Sequence, residues 1–193
     1  MTRMRVTLVN RLAGIQRGGG EIYDLSLAAA LQRAGATVDL ITGRPLLRQP
    51  IALPPDLPSR IVRTPYLRGL AHRLGAPGWR LLDLDLLLFE RGAERILRAA
   101  DPAPGIVQVT GLPRLARRLE RRGTSRVVLL FPGPPSPRHR EEIRSCRTVA
   151  GVGAVTPYLR ERFGREIRDM TGGVDAEAFR PGRASLRERL GIP

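Results

Sequence analysis

Apolar and polar positions alternate along this chain in two kinds of block: short aliphatic runs, and longer stretches with a helical repeat. Residues 5–9 form the first short run, which stops at Asn10. Residues 13–20 are loop-like, and residues 21–33 carry helical spacing that places Ile22, Leu25, Ala29 and Leu31 toward a core. The helix is expected to end near Gly35 and to lead into a second strand over residues 37–42. A strand–helix–strand unit of this length implies a parallel pair.

Prolines 45, 50, 54, 55 and 58 exclude regular structure over residues 44–58 and leave a long surface connection to a short strand at residues 60–63. From residue 66 to residue 100 the repeat is helical, with a break at Gly75-Ala76-Pro77-Gly78, so one short helix and one long helix are expected. Residues 105–109 read as a strand, 113–122 as a basic helix, and 126–131 as a strand apolar enough to be buried on both faces. Turn-forming residues 132–137 precede a polar helix reaching about Cys146, and residues 148–155 read as another strand. Thr156 and Pro157 have the character of an N-cap and a first-turn proline for a helix over residues 158–163, and a last strand is expected near 166–170. This alternation predicts an α/β fold, a doubly wound parallel sheet flanked by helices and Rossmann-like, with its ligand crevice at the carboxyl ends of the strands.

Composition narrows the setting. A chain of 193 residues accommodates one sizeable α/β domain. Net charge is +15, and all 33 basic residues are arginine. That excess has two explanations: a compositional bias spread over solvated helix faces, or attraction to an anionic partner such as a phosphate-bearing substrate, a lipid surface or nucleic acid. The single cysteine, Cys146, has no partner for an internal disulfide, and with only His72 and His139 beside it no metal-ligand spacing exists. Residues 1–9 lack a signal-peptide core, and the longest apolar stretch, near residues 81–89, is interrupted by Asp83 and Asp85 and falls short of the roughly 20 residues a spanning helix needs. A cytoplasmic protein that does not cross a membrane is expected.

The candidate chemistry lies between the first strand and the first helix. Gly18, Gly19 and Gly20 stand where backbone N–H groups and the positive end of the helix dipole can hold an anion; a merely flexible turn is the plainer alternative. The G-x-G-x-x-G dinucleotide fingerprint fails, because counting from Gly18 puts Tyr23 at the third glycine, and Gly43 and Arg44 rather than an acidic residue close the second strand. Walker-type binding is excluded because the chain contains no lysine, and no G-x-S-x-G elbow is present.

The run Gly18-Gly19-Gly20-Glu21, followed by Leu25, Leu27-Ala28, Ala30-Leu31 and Gly35, resembles the opening of family 4 glycosyltransferases of the GT-B fold. Val155-Thr156-Pro157-Tyr158-Leu159 is similar to that family's viavS..l segment, and Gly173-Val174-Asp175 with Phe179, Arg180 and Pro181 is similar to its NGVD…F.P motif. Leu186-Arg187 and Leu190-Gly191-Ile192-Pro193 match the opening of the second domain, so the resemblance covers essentially the whole chain.

The resemblance implies an amino-terminal, Rossmann-like acceptor domain over residues 1–181, with residues 182–193 a linker into a nucleotide-sugar-binding domain outside this sequence. It implies a retaining, hexosyltransferase-like enzyme that moves a sugar from a nucleotide-sugar donor to a carbohydrate or lipid-linked hydroxyl. The nucleotide sugar is a substrate, no cofactor or metal is called for, and the chain alone is expected to be an inactive fragment. Gly18, Gly19 and Gly20 would face the donor diphosphate, while Thr110, Gly111 and Thr156 are candidates for lining the cleft. The catalytic residue is unassigned, because Pro132 stands at the position where the family often carries a histidine. Gly172 and Ala36 also depart from the family pattern. A non-catalytic Rossmann-like module, or one subunit of a split transferase, is the alternative.

Residues 66–82 interleave Leu67, Leu70, Leu74, Trp79 and Leu81 with Arg68, Arg73 and Arg80. That pattern suits either peripheral contact with an anionic membrane at the inner face or a helix packed on the sheet. Aromatic residues are only 4%, too few for stacking platforms, and specific nucleic-acid binding is not expected.

Overall fold

In the computed structural model, which describes residues 4–46, 49–75, 78–100, 105–123, 126–136 and 139–170, strands and helices alternate as the sequence pattern predicts. The strands are β1 (Arg5–Asn10), β2 (Thr37–Pro45), β3 (Ser59–Thr64), β4 (Ile106–Thr110), β5 (Arg126–Phe131), β6 (Val149–Gly151) and β7 (Arg168–Asp169). They form one sheet in the order β3-β2-β1-β4-β5-β6-β7, and every neighbouring pair is parallel. The strand order reverses between β1 and β4, whose registers align Val9 with Val109, and this is the switch point at which doubly wound sheets open their ligand crevice.

The helices are α1 (Gly19–Arg33), α2 (Arg68–Leu74), α3 (Gly78–Ala99), α4 (Pro113–Arg121), α5 (Arg140–Ser145) and α6 (Val155–Phe163). Strand side chains alternate between the two faces, and each face has its own apolar core. One core joins Val9, Ile41, Val109 and Leu129 to Phe89 of α3, Leu115 of α4, Ile143 of α5 and Leu159 of α6. The other joins Val6, Leu8, Val38 and Leu40 to Ala28 of α1. Burying an aliphatic side chain such as Leu129, fully enclosed, contributes about 2 kcal/mol.

Three local expectations are overturned. The inward stripe of α1 is not led by Ile22, which is 53% exposed, but by Glu21, Asp24 and Ala28. The helix turns a polar residue to the sheet because the strand ends beneath it are polar too. The strand expected over residues 148–155 stops at Gly151: Gly153 takes φ +55, a left-handed turn suited to glycine, and the chain enters α6 at Val155. Thr156 is therefore not the N-cap, a position held by Ala154; it lies inside the first turn. The resemblance over residues 172–193, and with it the boundary at residue 181, lies outside the described residues.

Candidate functional site

The glycine loop sits at the carboxyl end of β1, beside the switch point. Gly18 is the N-cap of α1 in extended conformation and supplies no side-chain cap, and Ile22 N–H makes the first backbone bond back to Gly18 at 3.0 Å. The amides of Gly19, Gly20 and Glu21 are thus the unsatisfied first-turn donors that every helix presents, on a 15-residue helix with its positive dipole end toward the crevice. Glu21 is buried, and its carboxylate lies against Gly18: a Cβ there would be 2.6 Å from its Oε2. Its carboxylate, in the first turn, complements the helix dipole.

The glycines have separate roles. A Cβ on Gly20 would lie 2.7 Å from Pro132 Cγ, so Gly20 lets the loop close against the residue that follows β5. Nothing lies within 4 Å of a Cβ on Gly19, which is exposed. Replacing Gly20 by alanine is expected to destabilise the fold by about 1–2 kcal/mol through overpacking, while Gly19→Ala is neutral or slightly stabilising because alanine favours helix. Thermal unfolding of the two variants checks this; equal shifts would contradict the Pro132 contact. Gly14 is also a packing glycine, since a Cβ there would lie 2.7 Å from the Gly43 carbonyl, and its N–H bonds Thr42 Oγ1 at 2.9 Å.

Beneath the loop lies a residue the sequence pattern did not single out. Asp24 is fully buried and accepts three hydrogen bonds, from Asn10 Nδ2 at 2.7 Å, Gln108 Nε2 at 2.8 Å and Thr110 Oγ1 at 2.7 Å. These donors come from the last residue of β1 and from the middle and end of β4, so one carboxylate of α1 staples the helix across the switch point. Asn10 continues the chain of contacts by accepting Leu12 N–H at 2.9 Å on Oδ1, which fixes the start of the β1–α1 loop. Burial pushes the Asp24 carboxyl up to about 6; the donors on Thr110, Asn10 and Gln108 hold it down, and the Glu21 carboxylate adds to the rise.

Raising the folded-state value above the ordinary 3.8 means the unfolded chain gives up this proton more readily. The associated stability is fully present below about pH 4 and is lost as pH rises through 6. Between about pH 4 and pH 7 the loss is about 2 kcal/mol. Urea unfolding of the wild type and Asp24→Asn across that interval is expected to show this extra decline in the wild type alone. Parallel declines would mean an ordinary Asp24.

The other sequence-derived positions fall around this floor. Thr110 is half-buried, its hydroxyl committed to Asp24. Gly111 is exposed at φ +68, and its N–H is taken by Leu130 carbonyl at 2.9 Å, so it ends the strand and offers no free amide. Thr156 is buried, packs on Gly151 and donates to Asp169 Oδ1 at 3.1 Å. Tyr23 joins the two regions by donating its hydroxyl to the Met170 carbonyl at 3.1 Å. His139 stands half-buried at the N-cap of α5, with Nδ1 4.0 Å from Glu142. Burial pushes the Cys146 thiol up to about 12, which leaves it an inert core residue.

On the crevice's other flank the β1–α1 loop is anchored by charge. Arg11 and Asp85 form a buried ion pair, Tyr66 N–H donates to Asp85 Oδ1 at 3.1 Å, and the Arg11 guanidinium lies 5.6 Å from the Tyr66 ring centroid. Tyr66 adopts φ +53, and its hydroxyl donates to Gln16 Oε1 at 3.3 Å. A cavity of about 540 Å³ lies elsewhere, at the amino-terminal strand ends between Ile106, Arg126, Val128, Thr148 and Arg168. It is remote from the glycine loop and lacks convergent hydrogen-bond donors from a helix terminus. Among the described residues no group of three or more His, Cys, Asp or Glu has metal-binding geometry, and no helix is long and apolar enough to cross a membrane.

No protein-family model and no curated protein matches the sequence. Among solved structures the chain is similar to a sucrose-phosphate synthase from Thermosynechococcus elongatus, with a TM-score of 0.68 at 16% identity over 99% of this chain. The chain spans about half of that protein, 53% of its length. At that identity the likeness is one of fold: an all-parallel, Rossmann-like α/β sheet of the kind found in a GT-B glycosyltransferase.

Proposed function

We propose that the chain is the acceptor-side, amino-terminal half of a retaining GT-B glycosyltransferase of the family 4 type. It would move a sugar from a nucleotide-sugar donor to a carbohydrate or lipid-linked hydroxyl, with residues 182–193 leading into a donor-binding domain. The observation that carries the proposal is the placement of Gly18–Gly20: uncapped helix amides at the switch point, over a floor locked by Asp24. In this role the Gly19 and Gly20 amides donate to the donor diphosphate as charge builds on the leaving phosphate, and Thr110 and Thr156 shape the wall near the acceptor. Neither a metal nor a cofactor is required. The transferred sugar's remaining contacts belong to the second domain, so the isolated chain binds donor weakly and turns nothing over.

Titration calorimetry with nucleotide sugars tests the division of labour. Weak binding by this chain, rising with transfer activity when a donor-binding domain is supplied, is the expected result; tight binding by the 193-residue chain contradicts it. One observation favours the non-catalytic alternative. Pro132, packed on Gly20, brings no polar group to the position where a histidine is common. A complemented pair that binds donor yet transfers nothing would establish that reading.

The α2–α3 hairpin supplies a membrane-facing surface for a lipid-linked acceptor at the inner face of the cytoplasmic membrane. Leu70, Leu74 and Trp79 are 46%, 49% and 41% exposed, and Arg68, Arg73 and Arg80 are exposed beside them. The edge-on His72–Trp79 ring contact, at 5.8 Å, holds the two helices together. The chain is expected to sediment with phosphatidylglycerol vesicles and not with neutral phosphatidylcholine vesicles, and Leu70→Gln/Leu74→Gln to reduce this. Equal sedimentation with both vesicles would overturn the assignment.

A further inference from the structure

A second anion site, independent of the crevice, is built between α3 and α4. Arg91, Arg95, Arg98, Arg118 and Arg122 converge on a cavity of about 430 Å³ whose one acidic lining residue among the described residues is Glu94. This is more than a solvated basic face, because the guanidinium groups are held in place from beneath. Glu94, only 8% exposed, pairs with Arg98 Nη2 at 3.1 Å, with Arg118 Nε at 3.4 Å and with Arg122 Nη1. Glu90, 5% exposed, pairs with Arg118 Nη2 at 2.9 Å. Two buried carboxylates thus fix three arginines that remain 30–61% exposed toward the cavity.

Arg91 and Arg95 stand one turn apart on α3, are exposed, and among the described residues have no carboxylate partner. Five guanidinium groups against Glu90 and Glu94 leave a local charge of +3 (five minus two). Like charges at this helical spacing repel each other, and the repulsion is relieved by an anion lying between them. Guanidinium forks fixed in advance match the planar edges of phosphate groups and lose little freedom on binding.

We propose that the α3–α4 groove binds a multiply charged phosphate group, one carrying a phosphomonoester or an oligophosphate chain. Its members lie on the core face served by α3 and α4, whereas the glycine loop opens the helix on the opposite face, so the site does not depend on the sugar-transfer assignment. Free oligophosphate and a phosphorylated lipid headgroup share this chemistry.

The test uses inorganic tripolyphosphate as probe, titrated into the wild-type chain, Arg91→Gln/Arg95→Gln and Gly19→Asp. The arginine pair is chosen because it takes no part in the Glu90–Glu94 network, so the fold is retained, as circular dichroism will verify. Binding at the groove is expected to weaken on the order of tenfold or more in the arginine variant and to persist in Gly19→Asp, which removes only what the glycine loop itself contributes. No binding by the wild type, or equal affinity in wild type and arginine variant, overturns the proposal. Phosphatidylcholine vesicles carrying phosphatidic acid, compared with equally charged phosphatidylglycerol vesicles, identify the source. Preference for phosphatidic acid that tripolyphosphate competes away supports a headgroup ligand, and tripolyphosphate binding without that preference supports a free one.

Discussion

Asp85→Ala is expected to lower the stability of the fold by about 4 kcal/mol, the cost of leaving one member of a buried ion pair without its partner. Asp85 is fully buried, and the Arg11 it neutralises is 6% exposed, so water cannot replace the carboxylate. Burial already pushes the Arg11 guanidinium below its ordinary value, an effect that Asp85 opposes by charge and hydrogen bond. Removing the aspartate also frees Tyr66 N–H, which holds a non-glycine residue at φ +53. A domain's whole stability is about 5–15 kcal/mol, so the loss is a large share and corresponds to a melting shift of about 10 °C. Arg11→Met/Asp85→Leu is expected to recover most of it, since apolar replacement of both partners removes the orphaned charge. If the single variant melts within a degree or two of the wild type, the ion pair does not anchor the loop.

Asp24→Ala is expected to cost about 3 kcal/mol at neutral pH, the balance of two opposed terms. Three buried donors, Asn10 Nδ2, Gln108 Nε2 and Thr110 Oγ1, lose their acceptor, at about 1–3 kcal/mol each. Against this, the variant no longer has to ionise a buried carboxyl, which at pH 7 returns about 2–3 kcal/mol. The orphaned donors outweigh the relief. The same substitution unties α1 from the ends of β1 and β4, so any anion affinity of the glycine loop should fall with it. Denaturant unfolding at pH 7 measures the first effect, and a variant as stable as the wild type would show that the network is replaced by water.

The centre of the sheet is legible in the sequence because β1, β2, β4 and β5 are largely aliphatic and buried, and the apolar run over residues 126–131 has the bounds of β5. The place of the glycine loop at the carboxyl end of β1 is legible too, since the strand–helix alternation puts it between β1 and α1. Its floor is not, because hydrophobic periodicity seeks apolar stripes and α1 buries an aspartate. The signal available was Gln108, a polar residue inside the apolar run of β4, which must find a partner on the helix covering that face. β6 is shorter than the apolar pattern implies, because Val152, Ala154 and Val155 continue its apolar character while the left-handed turn at Gly153 ends the strand. Thr156 carried N-cap chemistry, yet its hydroxyl is spent on Asp169, a contact made across 13 residues that local pattern does not encode. The arginine groove was equally hidden, since it depends on α3 and α4 lying side by side.

The central claim is that Gly18–Gly20 holds a diphosphate at the switch point. Residue-resolved amide NMR of the chain titrated with inorganic pyrophosphate, the unit common to nucleotide-sugar donors, tests it most directly. Saturable shifts are expected at the Gly19 and Gly20 amides, together with the neighbouring Glu21 amide, and are weakened by Asp24→Ala. Saturation that leaves Gly19 and Gly20 unmoved, with every shift confined to other surfaces, would contradict it.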